Sequence, residues 1–207
     1  MTMAAHGDSG AEELARLLDA RNEHPESLAE IDAQIWQSFG RTQAVLVLDM
    51  CGFSRLTMRH GIIHFLAMIR RMGLLARPVV AEAGGRVVKA EADNLFAVFD
   101  DVAHAVTAAR NVQARLAVAN SFLPDDWDLH ASIGIGFGPT LLVGESDLFG
   151  PEMNIASKLG EDIAGPGEIL LSSAAREAFS GRDAEFDEAR YEVSGLDLRA
   201  FKLRTSS

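Results

Sequence analysis

Short apolar runs alternate with longer amphipathic segments along most of this chain. Residues 44–48 form a short run rich in β-branched side chains and closed by Gly52, which predicts a buried strand. Residues 87–99 have apolar positions on both sides of a polar centre, which predicts a hairpin with Asp93 at its turn. Between them, helical spacing predicts one helix over about 54–80. Its predicted buried face comprises Ile62, Phe65, Leu66, Ile69 and Met72.

The second half of the chain continues the mixture of strands and helices. The predicted elements are a helix over about 100–120, a half-buried strand over 129–135, a separate strand over 141–143, a helix starting near Pro151, a strand over 168–172, a short helix capped by Ser173, and a final hairpin across Gly195. This order predicts an α/β sandwich with one mixed, largely antiparallel sheet and helices packed on it.

The first forty residues differ from the rest in being polar, acidic and rich in Ala and Glu. Leu14, Leu17 and Leu18 share one side of a predicted helix, Pro25 marks a break, and a second short helix is predicted over 28–39. We interpret residues 1–40 as a helical appendage or dimer contact, with a solvated helical tail as the alternative. Residues 41–207 are then expected to form the main domain.

Composition narrows the classes of protein that this chain can represent. Its 207 residues are 48% hydrophobic, which is typical of one soluble globular core. No apolar run approaches the roughly 20 residues that span a bilayer, and the first residues lack a secretory signal, so a cytoplasmic protein is expected. A net charge of −11 argues against a nucleic-acid partner but not against a nucleotide held by metal ions. One cysteine, Cys51, excludes an internal disulfide framework.

The first candidate for chemistry is a pair of aspartates, each at the tip of an apolar run. Asp49 ends the predicted strand, and Asp93 lies at the predicted hairpin turn. If the two strands pair in one sheet, both carboxylates reach the same edge. Hard divalent cations prefer such oxygen ligands, and a nucleotide polyphosphate is the natural further ligand of Mg²⁺.

Four motifs in register resemble the class III nucleotidyl cyclase catalytic domain, the adenylate/guanylate cyclase family. They are the stretches 49–54 (Asp-Met-Cys-Gly-Phe-Ser), 89–99, 147–158 and 165–170, and the resemblance spans about 44–203. The resemblance implies a ferredoxin-like fold of the cyclase or palm type. It also implies an enzyme that converts ATP to 3′,5′-cyclic AMP and pyrophosphate in intracellular signalling.

The resemblance implies a site of two Mg²⁺ or Mn²⁺ ions that bridge the aspartates and the triphosphate. Asp49 and Asp93 match the metal ligands of the family, and the Met50 carbonyl is a further candidate ligand. The loop of Gly52, Phe53 and Ser54 precedes a predicted helix, so its amides are expected to face phosphate oxygens.

The base and the ribose are assigned to other residues by the same resemblance. Lys89 and Asp147 match the pair that reads the purine, and a Lys donor with an Asp acceptor suits adenine. Glu91, close to Lys89 in sequence, is a second acidic candidate near the base. Asn154 matches the residue that orients the ribose, and Lys158 takes the place of an Arg that stabilises charge on the α-phosphate.

The resemblance also implies that the site forms between two chains. Because this chain carries both residue sets, a homodimer with two equivalent sites is expected. It departs from the family pattern with Lys158 for Arg, Ser194 for a phosphate-binding Lys, and Ala92 for Gly. These departures leave two alternatives open: a catalytically weak or inactive cyclase-homology domain that binds nucleotide and regulates a partner, or a cyclase that uses GTP or a pyrimidine nucleotide.

Overall fold

The computed structural model describes residues 9–193 and 195–204, which form a sheet with helices on both faces. The helices are α1 (Ser9–Glu23), α2 (Leu28–Phe39), α3 (Phe53–His60), α4 (Ile62–Glu82), α5 (Val102–Asn120), α6 (Pro151–Ser157) and α7 (Ser173–Ala178). The strands are β1 (Gly40–Met50), β2 (Arg86–Glu91), β3 (Asn94–Phe99), β4 (Ala131–Val143), β5 (Asp147–Phe149), β6 (Ile169–Ser172), β7 (Phe186–Val193) and β8 (Leu196–Leu203). A π-helical segment, Lys158–Ile163, continues α6.

The eight strands form one sheet in the order β2-β3-β1-β4-β6-β8-β7, with β5 paired to β4. Every pairing is antiparallel except that of β4 with β6. The predicted fold class, a mixed and largely antiparallel sheet with packed helices, is therefore confirmed. The hairpins β2–β3 and β7–β8 also form where the sequence predicts them, the second across Gly195.

The two faces of the sheet are buried by different helices. Leu46, Leu48 and Met50 of β1 join a large core with α4 and α5. Val45 and Val47 point to the opposite face, where a smaller apolar cluster includes Leu148 and Ala156. The alternation of β1 thus places Asp49 on the second face, the one covered by α6.

The single helix predicted over 54–80 is wrong, because the chain breaks at Gly61. Gly61 has φ +82°, in the left-handed region that glycine adopts readily, and separates α3 from α4. The predicted buried face of the following helix is confirmed at Phe65 and Met72, and Ile69 packs partly buried against the same core. Ile62 and Leu66 are 50% and 55% exposed, and the buried face comprises Phe65, Met68, Met72, Ala76, Val79 and Val80.

The prediction of a half-buried strand over 129–135 and a separate strand over 141–143 is also wrong. β4 is one strand of 13 residues, and both of its faces are buried over most of its length. Gly134 and Gly136 have no side chains, so α6 lies directly on the backbone of the strand. The glycines that alternate with Ile133 and Ile135 therefore mark a helix-packing face, and solvent does not reach it.

One further local expectation changes in the structure, and another is met. The cap of α7 is Ser172 and not Ser173, since the Ala175 N–H donates to Ser172 Oγ at 3.1 Å. The helices α1 and α2 form as expected, and their apolar side chains pack on Leu141 and Val143. This packing leaves α1 and α2 docked rather than free in solvent, whereas the division at residue 40 stays a prediction. Across the described ranges, no helix has the length and apolar character to cross a membrane.

Candidate active site

Pairing of β1 with β3 places Asp49 directly opposite Asn94, the first residue of β3. Asp93 lies in the short turn that joins β2 to β3, and its carbonyl accepts the Met50 N–H at 3.3 Å. The structure thus brings Asp49 and Asp93 to the same end of the sheet. We call Asp49, Asp93 and Asn94 the carboxylate corner.

The carboxylate corner contains two aspartates and no positively charged side chain. Burial, the neighbouring Asp93 and the more distant Glu161 raise the pKa of Asp49 from 3.8 to about 7. The side-chain oxygen of Asn94 is buried and has no hydrogen-bond partner. A cation at this point would give the Asn94 oxygen a partner and would favour the ionised form of Asp49.

Glu161 is a further carboxylate near the candidate site, and the sequence analysis did not identify it. It lies on the π-helical segment after α6, outside the four motifs, and nothing in its local sequence marks it. Burial raises its pKa, as do Asp162 and Asp93, whereas a hydrogen bond with Ser157 and the charge of Lys158 lower it. Only the packing of this segment over β1 brings the carboxylate into electrostatic range of Asp49.

The loop after Asp49 is short and leads directly into α3. Met50 contributes its side chain to the core, with 1% exposed, so only its backbone is available to a ligand. The Cys51 N–H donates to the His130 carbonyl at 2.8 Å, and Gly52 has φ +96° immediately before α3 begins at Phe53. The side chains of Phe53 and Ser54 lie outside the part of the chain that the structure describes.

Lys89 and Asp147, predicted as a base-reading pair, are in direct contact. Lys89 Nζ lies 2.8 Å from Asp147 Oδ1 and 3.2 Å from Glu91 Oε1, and it lies over the Phe96 ring at 5.0 Å from its centroid. Partial burial disfavours the charged ammonium, but the hydrogen bonds to Asp147 and Glu91 outweigh it and raise the pKa of Lys89. We call Lys89, Asp147 and Glu91 the lysine corner.

A bulge in β2 aims Lys89 at this position. The register with β3 shifts between Val87 and Lys89, so that Lys89 pairs with Phe96. Regular pairing would continue from Val87 opposite Ala97 and place Lys89 opposite Leu95, which belongs to the core on the other face. Bulges commonly redirect a side chain in this way beside functional sites.

Asn154 and Lys158 lie on successive turns of one helical face, as their spacing predicts. The Lys158 N–H donates to the Asn154 carbonyl, Asn154 is exposed and Lys158 is half-buried. The widened helix that starts at Lys158 allows Gly160 to approach the backbone of Val47 and Gly134. Such π-helical segments often occur at functional sites.

Two of the three departures from the family pattern can be placed in the structure. Ala92 has φ +51° in the β2–β3 turn, a left-handed conformation that costs an L-residue with a Cβ roughly 1–2 kcal/mol. Lys158 is in electrostatic range of Glu161 and presents one point charge where an Arg would present a planar fork. Ser194 lies outside the described residues.

The donor set at the carboxylate corner fits divalent cations that are shared with a nucleotide. Within residues 9–193 and 195–204, no three His, Cys, Asp or Glu side chains converge closely enough to hold a metal ion by themselves. Mg²⁺ commonly binds through one or two carboxylates, with water and substrate phosphates completing its shell. Asp49 and Asp93 supply such carboxylates, and the Met50 carbonyl and Asn94 Oδ1 are neutral oxygens nearby.

Comparison with known proteins places the chain among cyclases. No protein-family model matches it. It is 34% identical over 160 residues to the putative adenylate cyclase 3 of Rhizobium meliloti (strain 1021), covering 76% of this chain and 27% of the relative. It is 31% identical over 150 residues to an adenylate cyclase of Streptomyces coelicolor, covering 72% and 37%. The chain therefore spans about a quarter to a third of the length of these curated relatives.

A solved structure shares the fold over almost its full length. The adenylate/guanylate cyclase/hydrolase from Silicibacter pomeroyi superposes with a TM-score of 0.67 at 28% identity, covering 81% of this chain and 99% of that structure. The similarity includes the mixed sheet and its helices. Together, sequence and fold confirm the resemblance stated from the four motifs.

Proposed function

Because this chain belongs to the class III nucleotidyl cyclase family, we propose that it is an adenylate cyclase acting in intracellular signalling. The ribose 3′-oxygen of ATP bonds to the α-phosphorus, and the bond from that phosphorus to the oxygen bridging to the β-phosphate breaks. Pyrophosphate leaves, the hydroxyl proton is released, and 3′,5′-cyclic AMP remains. The observation that carries this proposal is the convergence of Asp49 and Asp93 at one end of the sheet.

In this proposal the carboxylate corner holds two Mg²⁺ or Mn²⁺ ions through Asp49 and Asp93, with the Met50 carbonyl as a further ligand. When bound, the ions supply Lewis-acid stabilisation of the triphosphate charge and favour ionisation of the ribose 3′-hydroxyl. The backbone of Gly52, Phe53 and Ser54, at the start of α3, is assigned to the phosphates. The raised pKa of Asp49 supports the assignment, because a carboxylate crowded by other carboxylates gains most from a cation.

The lysine corner is assigned to the adenine base. Lys89 donates to a ring nitrogen, and Asp147 accepts from the exocyclic amine. Asp147 is held in place by Lys89 and by its own Oδ1, which accepts the Leu148 N–H at 2.9 Å. A donor and an acceptor that are already in contact can read a flat base without a large rearrangement.

The remaining substrate contacts are assigned to α6 and its π-helical continuation. Asn154 orients the ribose, and Lys158 stabilises charge that develops on the α-phosphate. As in the family the chain resembles, we place these two residues opposite the metal ligands of a second copy, in a homodimer with two equivalent sites. Both residue sets occur on this one chain, which supports self-association.

Mixing two inactive variants tests the shared site. Asp49→Asn and Asn154→Ala each damage a different half, so a mixed dimer has one intact site and one doubly damaged site. Random exchange of subunits should restore about a quarter of wild-type activity. Activity no higher than the sum of the two separate variants would contradict the homodimer site.

Product analysis with four nucleoside triphosphates tests the substrate. Purified protein with Mg²⁺ or Mn²⁺ should convert ATP to cyclic AMP and pyrophosphate faster than it cyclises GTP, CTP or UTP. Cyclic GMP or a cyclic pyrimidine nucleotide as the main product would replace the adenine assignment. Absence of any cyclic nucleotide would reject the cyclase activity.

A second candidate function is a cyclase-like domain that binds nucleotide, turns it over slowly or not at all, and regulates a partner. Lys158 favours it, since a point charge stabilises a phosphoryl transition state less well than an Arg fork does. Loss of one such electrostatic contact typically costs about 10²–10³ in rate. Lys158→Arg separates the two candidates: a large gain in turnover indicates a weak enzyme, and none favours the binding role.

A further inference from the structure

Helix α6 lies on a strip of β4 that carries no side chains. A Cβ on Gly134 would overlap the Ala156 carbonyl, and one on Gly136 would overlap the Glu152 carbonyl. The helix has only seven residues, and no side chain caps its N-terminus. Short helices depend on tertiary contacts, and apolar burial alone is non-directional. Its position along the strand therefore needs directional bonds.

The carboxylate of Glu152, in the first turn of α6, makes two such bonds. Its Oε2 accepts the Phe137 N–H at 3.1 Å and the Ser172 hydroxyl at 2.6 Å. Ser172 is 2% exposed, and its Oγ also accepts the Ala175 N–H. One carboxylate oxygen thus links α6 to β4, to the end of β6 and to the cap of α7, through bonds that its charge strengthens.

The Phe137 N–H is available because β4 has a gap along one edge. β1 follows the other edge, whereas β6 pairs with residues 133–135 and β5 with residues 141–143. Residues 136–140 lie between these two partners. The Glu152 carboxylate takes the place of a strand partner at Phe137, and this fixes the first turn of α6 at one point of the sheet.

We propose that Glu152 is a positioning residue that sets the place of α6 on β4 and thereby aims Asn154 and Lys158. Both follow Glu152 on the same helix and its continuation, and the chain of backbone bonds from Gly150 through Asn154 to Lys158 makes them move together. This inference rests on the proposed roles of Asn154 and Lys158. A misplacement of about 1 Å at a reacting group can reduce the rate about 10²-fold.

Steady-state kinetics of three variants test the proposal. Glu152→Ala should lower kcat with ATP about 10- to 100-fold with KM changed less than about 3-fold, because the residues assigned to metal and base are untouched. Glu152→Gln should keep kcat within about 3-fold, since its amide oxygen can accept both bonds. Asp101→Ala, which removes a carboxylate bond to the His104 N–H at the start of α5, is the matched control and should leave kcat unchanged.

Two outcomes would overturn the proposal: equal kcat in Glu152→Ala and the wild type, or a Glu152→Gln variant as slow as Glu152→Ala. If Glu152→Ala does not fold, Glu152→Asp replaces it, because its carboxylate is one methylene shorter and falls short of both donors. The same loss of kcat is then expected.

Amide hydrogen exchange of the nucleotide-free protein gives a readout that is independent of catalysis. Exchange over residues 151–158 should be at least about tenfold faster in Glu152→Ala than in the wild type or Asp101→Ala. A wild type that makes no cyclic nucleotide would reject the proposed function while this measurement still decides what Glu152 holds. Unchanged exchange over residues 151–158 would reject the positioning role.

Discussion

The carboxylate corner and the lysine corner stand in the same sheet and handle charge in opposite ways. Burial of Asp49, and then the charges of Asp93 and Glu161, raise its pKa to about 7. Lys89 is paired with Asp147 at 2.8 Å and with Glu91 at 3.2 Å, and its pKa rises because its own charge is favoured. One corner holds like charges that oppose each other, and the other pairs one positive charge with two negative charges.

This difference separates two kinds of ligand. A cluster of like charges is costly until a cation joins it, so it suits metal ions that arrive with a polyphosphate. Within the lysine corner, the pair of Lys89 and Asp147 carries no net charge and presents positioned hydrogen-bonding groups, which suits the edge of an uncharged base. If the two corners divide the work in this way, changes at the carboxylate corner should have the largest effect on activity and changes at the lysine corner a smaller one.

Asp49→Asn should break the carboxylate corner most completely. The change keeps the shape of the side chain but removes the charge that would hold a cation, so kcat with Mn²⁺ and ATP should fall by at least about 10³-fold. The increase in Tm on adding Mn²⁺ should disappear as well. Asp101→Asn, at an exposed helix cap, is the control and should keep both the wild-type kcat and the increase in Tm on adding Mn²⁺. Retained Mn²⁺ stabilisation in Asp49→Asn would place the metal elsewhere.

Lys89→Met should break the lysine corner with a smaller effect. The Lys89 side chain is 16% exposed, and a hydrogen bond to a charged group in such a place contributes about 1.5–3 kcal/mol, so kcat/KM for ATP should fall about 10- to 100-fold. The increase in Tm of the nucleotide-free protein on adding Mn²⁺ should persist, since no metal ion is assigned to the lysine corner.

Glu91→Gln is the matched control for the lysine corner. Glu91 is 64% exposed, and exposed ion pairs contribute only about 0–1 kcal/mol, so kcat/KM should change less than about 5-fold. A loss as large as that in Lys89→Met would mean that Glu91, rather than Asp147, is the acidic partner that matters for the base.

The carboxylate corner should also make the metal-free protein less stable as pH rises. Between pH 3.8 and about pH 7, the folded protein keeps a proton on Asp49 that the unfolded chain has lost. The free energy of unfolding therefore falls as pH rises through this interval and levels off above about pH 7. Asp49 is only partly buried, and solvent screening limits the effect to about 1–2 kcal/mol.

Urea denaturation in EDTA at pH 5 and pH 8 measures this dependence. The wild type should lose stability relative to Asp49→Asn over that interval, and saturating Mn²⁺ should restore it. Glu168 and Asp187 have lowered pKa values, so they change the free energy of unfolding at lower pH and in the opposite direction. Both proteins share these groups, so the difference between their free energies of unfolding reports on Asp49. Parallel pH curves for the two proteins would contradict the raised pKa of Asp49.

Ala92→Gly tests the turn that presents Asp93. Ala92 has φ +51°, and glycine would relieve the steric cost but add freedom to the unfolded chain, so a net gain of about 0.5–1 kcal/mol is expected. The midpoint of urea unfolding measures it. A loss of stability would show that the Ala92 methyl group contributes packing that outweighs the backbone strain.

Several elements could be predicted from local pattern because their determinants are close in sequence. The run that ends at Asp49 forms the end of β1, and the hairpin turns at Ala92 and Asp93 as the polar centre indicates. Asn154 and Lys158 share a helical face because helical periodicity dictates it.

Other features could not be predicted because they depend on which element packs on which. The glycines of β4 look like a solvent-facing alternation until α6 is placed on them, and Ile62 and Leu66 look buried until the packing of α4 leaves them exposed. The bulge that turns Lys89 toward Phe96 appears only in the pairing of β2 with β3. Glu161 affects Asp49 only because the π-helical segment, distant in sequence, packs close to it.

The sequence by itself determined the fold class, the family resemblance and the identity of the paired residues, because periodicity and motif spacing are short-range properties. Tertiary structure alone decided the electrostatics. The charge of Asp49 is opposed by residues from a distant turn and a distant helix, and the charge of Lys89 is matched by Asp147 on another strand. Coulombic interactions and desolvation act through space, so chain order does not reveal which carboxylates are crowded and which are neutralised.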